Sequence, residues 1–199
     1  MKNAEGGHDW FHTNRVYRNS IHIAEGENVN ILVISLGALL HDIADSKFYN
    51  GDESVGPNVA SKFMTQITIP EIIQKQVLHI IENISFKGGN FTTNQKSKEL
   101  EIVQDADRLD AIGAVGIARC FNYGGFKNRK LYDPEIPPNL NMSKEEYKKS
   151  TAPTINHFYE KLLKIKGLMN TQIGKKMAEE RHEFMLVFLD QFYDEWEAK

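Results

Sequence analysis

Asn30-Ile-Leu-Val-Ile-Ser-Leu-Gly-Ala-Leu-Leu-His-Asp-Ile43 reads as a helix apolar on every side that closes on two ionisable residues, His41 and Asp42. A helix of that kind is buried, so the pair is carried to the end of a core element, where desolvating an imidazole and a carboxylate must be offset. A metal ion would offset it. The apolar run from Ile31 to Leu40 is about half of the ~20 residues a membrane-spanning helix needs. It is therefore expected to be a core helix, and no membrane partner is expected.

The segments on either side are also helical in pattern. Upstream, His8 to Glu25 draws an apolar stripe of Trp10, Val16, Tyr17, Ile21 and Ala24, with His12 near its start. Downstream, Ala44 to Glu53 is a loop carrying the Asn50-Gly51 turn signal. Ser54 to Thr65 and Pro70 to Asn83 read as helices, the second with its proline in the tolerated first turn. Ser85 to Ser97 is loop-like. Glu99 to Ala111 is a helix holding Asp105, Asp107 and Asp110, and a further helix runs from Gly113 to Phe121. Gly, Asn and Pro mark Gly124 to Ser143 as a long excursion of the kind that often covers a site. Ala152 to Lys166 and Thr171 to Trp196 close the chain, and the four-residue recurrence of Phe184, Phe188, Phe192 and Trp196 is read as a packing face.

No alternating strand pattern, repeat or low-complexity segment interrupts this series. The expected fold is all-α, a single-domain helical bundle over residues 1–199, with the site helices in about 8–123 and packing helices in about 150–197.

Composition narrows the function classes. With 24 Lys plus Arg against 27 Asp plus Glu, the chain has a formal charge of -3, which argues against a surface devoted to duplex nucleic acid or anionic lipid. One cysteine, Cys120, leaves no disulfide framework and no Cys-rich zinc module, and fits a reducing compartment. Met1 to Gly7 has no apolar run behind its charge, so no signal peptide is expected and the cytoplasm is the expected location.

Several residues can carry chemistry. His41 and Asp42 are neighbours whose side chains diverge by about 100° on a regular helix, yet at a helix end they can converge on one ion, giving half of an N/O ligand set. A His-Asp dipeptide alone has a bland alternative, since His8-Asp9 supplies a second one in a polar leader. Only His41-Asp42 follows an apolar helix. His12 and Asp107 are the other candidate ligands, and Arg15, three residues after His12, faces the same side. Asp107 lies in Val103-Gln-Asp-Ala-Asp-Arg-Leu-Asp-Ala-Ile-Gly113, where Val103, Ala106, Leu109 and Ile112 mark the buried face and the aspartates its margin. Taken alone that segment reads as a solvated acidic face, although three close carboxylates repel one another unless a cation intervenes.

Other readings fail on spacing. His182-Glu183 opens a zinc-peptidase H-E-x-x-H, but Leu186 occupies the second histidine's place. Glu179 and His182 form one Glu-x-x-His, whereas a di-iron bundle needs two on facing helices. His22 and His157 have no comparable partners and are read as structural or surface residues. There is no Gly-x-x-x-x-Gly-Lys phosphate loop.

The order His12, His41-Asp42, Asp107 resembles the H…HD…D pattern of the HD-domain superfamily of metal-dependent phosphohydrolases. The wording around it, His8-Asp-Trp-Phe-His-Thr-Asn-Arg-Val16, Leu40-His-Asp-Ile-Ala-Asp-Ser-Lys47 and Gln104-Asp-Ala-Asp-Arg-Leu-Asp-Ala-Ile-Gly113, is similar to small stand-alone bacterial members. The resemblance implies a helical fold in which His12, His41, Asp42 and Asp107 ligate one divalent cation: Mn, Mg, Co, Ni, Fe or Zn. It further implies hydrolysis of a phosphorylated small molecule, a nucleotide or related ester, by a phosphomonoesterase or a nucleoside triphosphate pyrophosphohydrolase.

In one-metal relatives an acidic residue three positions after the HD aspartate helps activate water, and Asp45 stands there. It is also four residues after His41, hence on the same side of a continuing turn; a loop-ordering role is the alternative. Relatives with two metals carry a histidine before a Ser-Phe pair, where this chain has Ile84, so one metal is expected and His79 is left as a helix histidine or a phosphate contact. Phosphate recognition calls for cations. Arg15, Lys47 and Lys87 adjoin the ligand segments and are the expected substrate contacts. A non-catalytic nucleotide- or metal-binding regulatory module is the alternative function, and either a monomer or a homodimer is compatible with the sequence.

Overall fold

A computed structural model describes residues 9–44, 49, 52–84, 96–143, 146 and 149–199. It is all-α, and no strand occurs among the described residues. The chain divides into two compact units, Met1–Asp107 and Arg108–Lys199.

In the first unit, α1 (Trp10–Ile23) starts at Asp9, whose side chain caps the helix. Its buried face is His12, Thr13, Val16, Ser20 and Ile23, while Trp10 is exposed. The helix therefore turns polar side chains inward, a face rotated from the apolar stripe that sequence suggests. α2 (Ile31–Leu40) is capped by the Asn30 side chain, which accepts from the Leu32 and Val33 amides. It packs on α1 and on α4 (Glu71–Asn83). Val33, Ile34, Gly37, Ala38 and Leu40 are buried, but Ile31 and Leu32 are about half exposed. The expectation of a helix buried on all sides is corrected: its first turn emerges from the core, and Ser35, Leu36 and Leu39 on the same face are only half-buried.

α3 (Val55–Gln66) packs on α4 and buries Gly56, Ala60 and Met64. Pro70 precedes α4 as its N-cap rather than lying within the first turn; either position spares a helical hydrogen bond. α5 (Lys98–Asp110) contributes its residues through Asp107 to this unit. Val103 and Ala106 are buried, as expected, and Leu100 and Ile102 join them, but so does Asp105. Asp110, in the second unit, is buried too and is bridged to Arg119 at 2.8 Å. The aspartates thus do not share one solvated margin; of the three, Asp107 is the one left partly accessible.

In the second unit, α6 (Gly113–Phe126) runs five residues beyond the expected end at Phe121. Gly124 permits this, because a Cβ there would lie 2.2 Å from Thr154 Oγ1. The irregular excursion accordingly begins near Lys127. The expected helix from Ala152 to Lys166 is replaced by a short α7 (Asn156–Glu160) and a 3-10 helix, Leu162–Leu168. The reason lies in partners distant in sequence: the Thr154 and Ile155 amides donate to the Lys130 and Leu131 carbonyls at 2.9 and 3.0 Å, so these two residues form a turn and the α-helix starts only at Asn156.

α8 (Gln172–Trp196) starts at the Thr171 cap and buries Gly174, Ala178, Met185 and Leu189. Its aromatic stripe is packed from Phe188 through Trp196, whose ring stacks on Phe192 at 5.8 Å and lies edge-on to Tyr132 at 5.2 Å. Phe188 stacks on Phe158 with centroids 5.8 Å apart, and Phe121 lies edge-on to Phe188 at 5.9 Å. Phe184 and Trp196, at the stripe's ends, are about half exposed. Among the described residues no helix is long and apolar enough to cross a membrane.

Candidate metal centre

The first unit brings three distant sequence segments to one point. His12 comes from the first turn of α1, where the Asp9 carboxylate accepts its backbone N–H at 2.9 Å. Asp9 is thus the N-cap with His12 at the third helical position, the spacing at which a capping side chain reaches a free amide. His41 and Asp42 follow the last turn of α2. The His41 ring is held by Nδ1, 2.8 Å from the Ala38 carbonyl oxygen. A carbonyl only accepts, so Nδ1 carries the proton and Nε2 presents a lone pair.

The ligating atoms converge. His12 Nε2 lies 3.3 Å from His41 Nε2, with the rings edge-on. Asp42 Oδ2 is 3.5 Å from each of those nitrogens. Asp107 Oδ1 is 3.6 Å from His12 Nε2 and 3.9 Å from His41 Nε2. Ligating atoms of His12, His41 and Asp42 all lie within 4.8 Å of one another, so this group can hold a metal ion. Both histidines are buried, Asp42 and Asp107 less so.

The donor set fits a divalent cation. Two carboxylates gather around two buried imidazoles whose facing nitrogens can share at most one proton, and nothing but positive charge satisfies all four. Bonds of ~2.1 Å to a metal would place neighbouring ligand atoms about 3.0–3.4 Å apart, which the 3.3 Å His12–His41 spacing meets and the carboxylate spacings of 3.5–3.9 Å slightly exceed. Two imidazoles with two carboxylate oxygens suit Mn, Fe, Co, Ni or Zn, with Mg favouring the oxygens.

Of the expected substrate contacts, Arg15 is half-buried on α1, whereas Lys47 and Lys87 lie outside the described residues, as does Asp45, the expected water-activating residue. His79 is half-buried on α4, its Nδ1 3.2 Å from Asn83 Nδ2. The remaining candidates stand apart. His22 is an exposed residue beside Glu25 at 3.4 Å. His157, in the second unit, is pushed down to about 3 by burial, with Lys161 and Arg129 adding to the effect. Burial likewise pushes the Cys120 thiol up to about 12, too high for a reactive thiolate.

Sequence reasoning missed Asp9, setting His8-Asp9 aside as a decoy pair. The available signal was an Asp three residues before a His at the head of a helix, which is capping spacing. The Ala38 carbonyl has no sequence signal at all.

The fold and this histidine-aspartate cluster define an all-α HD domain: the HD domain family model matches residues 10–112, and the chain belongs to that family. HD domains bind divalent metals. The crystal structure of an HD-superfamily hydrolase from Bacillus thuringiensis is 44% identical with a TM-score of 0.78, covering 100% of this chain and 91% of that one. A Lactobacillus plantarum protein of known structure is 39% identical, TM-score 0.81, covering 100% and 92%. Bacillus subtilis YpgQ is 36% identical over 194 residues, 96% of this chain and 85% of YpgQ. Its crystal structure in complex with ADP superposes with a TM-score of 0.76 at 34% identity, covering 96% of this chain and 91% of that one.

Proposed function

We propose that this chain is a metal-dependent phosphohydrolase acting on a nucleotide or a related phosphate ester, with His12, His41, Asp42 and Asp107 as the ligands of one divalent cation. The observation that carries the reading is the 3.3 Å approach of two buried imidazole nitrogens beside two carboxylates. The nucleotide part is supported by the ADP complex of YpgQ. When bound, such a cation draws charge from a phosphate and makes water more acidic.

The protein's own groups do the rest. The Ala38 carbonyl keeps the His41 proton on Nδ1, so Nε2 stays a donor of electrons. Asp42 and Asp107 would hold the cation beside the two imidazoles and offset its charge. Asp45 accepts the proton of the attacking water at its carboxylate as the water oxygen bonds to phosphorus. The phosphorus–oxygen bond to the leaving group breaks, and that oxygen takes the proton onward from solvent or from Asp45. Arg15, Lys47 and Lys87 hold phosphate oxygens. Phosphomonoester cleavage and pyrophosphate release from a nucleoside triphosphate both fit this arrangement.

The test is a screen for phosphate and pyrophosphate release over nucleoside mono-, di-, tri- and cyclic phosphates with Mn²⁺. Asp45→Asn is expected to slow turnover by roughly 10²-fold or more while the metal stays bound, the usual scale for a lost general base. Undiminished turnover in that variant overturns the role of Asp45. A protein that holds metal and nucleotide yet turns over none of these esters is the regulatory module instead.

A further inference from the structure

The four proposed ligands come from α1, from the end of α2 and from α5, yet α4 touches the carriers on two sides without supplying a ligand. On one side, Gly37 of α2 meets Ile80 of α4 so closely that a Cβ on Gly37 would lie 2.8 Å from Ile80 Cδ1 and 3.2 Å from its Cγ2. Ile80 is fully buried and has little room to yield. Gly37 lies about one helical turn before His41, and its neighbour Ala38 is the residue whose carbonyl holds the His41 ring.

On the other side, Gln104 of α5 donates from Nε2 to the Asn83 carbonyl at 2.8 Å. Asn83 is the last residue of α4, so its carbonyl is one of those a helix end leaves without a backbone partner. The Asn83 side chain turns back and donates to the His79 carbonyl at 2.8 Å, which keeps that last turn wound. Gln104 is three residues before Asp107 and so lies on the same side of α5.

We propose that α4 sets the spacing of the metal site: Gly37 against Ile80 fixes how closely it lies to the helix carrying His41 and Asp42, and Gln104 on the Asn83 carbonyl fixes the height of Asp107. Gln104 and Gly37 are then positioning residues. This rests on the metal reading above. A close-packed core transmits a displacement of a few tenths of an ångström rather than absorbing it, and ligand distances tolerate about that much.

The experiment is a Mn²⁺ titration of the full chain at a temperature where circular dichroism shows each variant folded. Gln104→Met keeps the bulk and loses the donor, and Gly37→Ala presses on Ile80. Each is expected to raise the Mn²⁺ dissociation constant by roughly 10-fold, the lower end for groups that orient metal ligands. Ile80→Val added to Gly37→Ala removes the Cδ1 conflict and should restore affinity. Gln74→Met is the control, since it deletes an equivalent amide-to-carbonyl bond, to Ile69 at 2.8 Å, at the far end of the same helix. It should lower stability and leave Mn²⁺ affinity unchanged.

Affinity within twofold of wild type in folded Gln104→Met and Gly37→Ala overturns the positioning role. If Gln104→Met does not fold, the Gly37→Ala pair decides. A wild-type protein that takes up no Mn²⁺ overturns the metal reading instead, so the two failures are told apart.

Discussion

His12 and His41 face one another across 3.3 Å, Nε2 to Nε2, although they are separated by most of α1 and all of α2. The contact has no worth as a hydrogen bond when both nitrogens present lone pairs, and it places two partial negative charges beside two carboxylates. The packing of α1 on α2 brings the two rings together, and a cation would satisfy both nitrogens and both carboxylates at once.

Metal occupancy therefore should stabilise the fold. One equivalent of Mn²⁺, Co²⁺ or Zn²⁺ is expected in wild-type protein, and saturation to 100 times the dissociation constant adds about 2.7 kcal/mol. Differential scanning calorimetry with and without EDTA reads this as a fall in the transition temperature. His41→Ala and Asp107→Ala should lose both the stoichiometric metal and the EDTA effect. Full retention of tightly bound metal in either variant sinks the ligand set.

Asp9 should matter through geometry alone. Asp9→Ala removes the acceptor for the His12 amide and is expected to cost roughly 1 kcal/mol in urea unfolding, whereas Asp9→Asn, also a good cap, should cost much less. Equal losses in the two variants would show that charge rather than capping is what Asp9 supplies.

The Asp110 carboxylate is buried and accepts from Arg119 Nη1 at 2.8 Å, and the same nitrogen reaches the Asp110 carbonyl at 2.9 Å. Arg119→Met should destabilise by about 1–3 kcal/mol, because the buried Asp110 carboxylate loses its 2.8 Å donor while Arg181 still acts on it electrostatically. Adding Asp110→Asn ought to recover part of that loss. A measured penalty below ~1 kcal/mol for Arg119→Met would mean that solvent reaches Asp110 after all.

Acid should weaken the second unit through His157. Burial holds this imidazole neutral in the folded state down to about 3, against an ordinary value of 6.5. Between those limits the unfolded chain takes up a proton that the folded chain refuses, so the contribution to stability is undiminished above pH 6.5 and falls as the pH drops toward 3. The limiting slope is about 1.4 kcal/mol per pH unit. The urea midpoint of His157→Gln, followed from pH 7.5 to 5, should fall less steeply than that of wild type. Parallel curves would remove His157 from the acid response.

The all-α class and most helix positions among the described residues were legible because apolar periodicity and caps are local properties of the chain. So were His12, His41-Asp42 and Asp107 as candidates, since ligand chemistry is written in residue identity and their order marks the family. Other properties belong to contacts between segments. Ile31 and Leu32 are as apolar as Val33 and Ile34, yet only the latter pair is buried, because α1 and α4 cover one side of α2. Thr154 and Ile155 lie in a helical-looking stretch but are claimed by the carbonyls of Lys130 and Leu131.

The chain by itself thus determined an all-α HD-family protein and the residues able to bind a cation. Only the tertiary structure decided that the four donors meet, that Asp9 and the Ala38 carbonyl hold two of them, and that Asp105 and Asp110 turn inward while Asp107 stays accessible. Spacing along one helix sets the direction of a side chain, whereas the distance between side chains on different helices is set by how those helices pack.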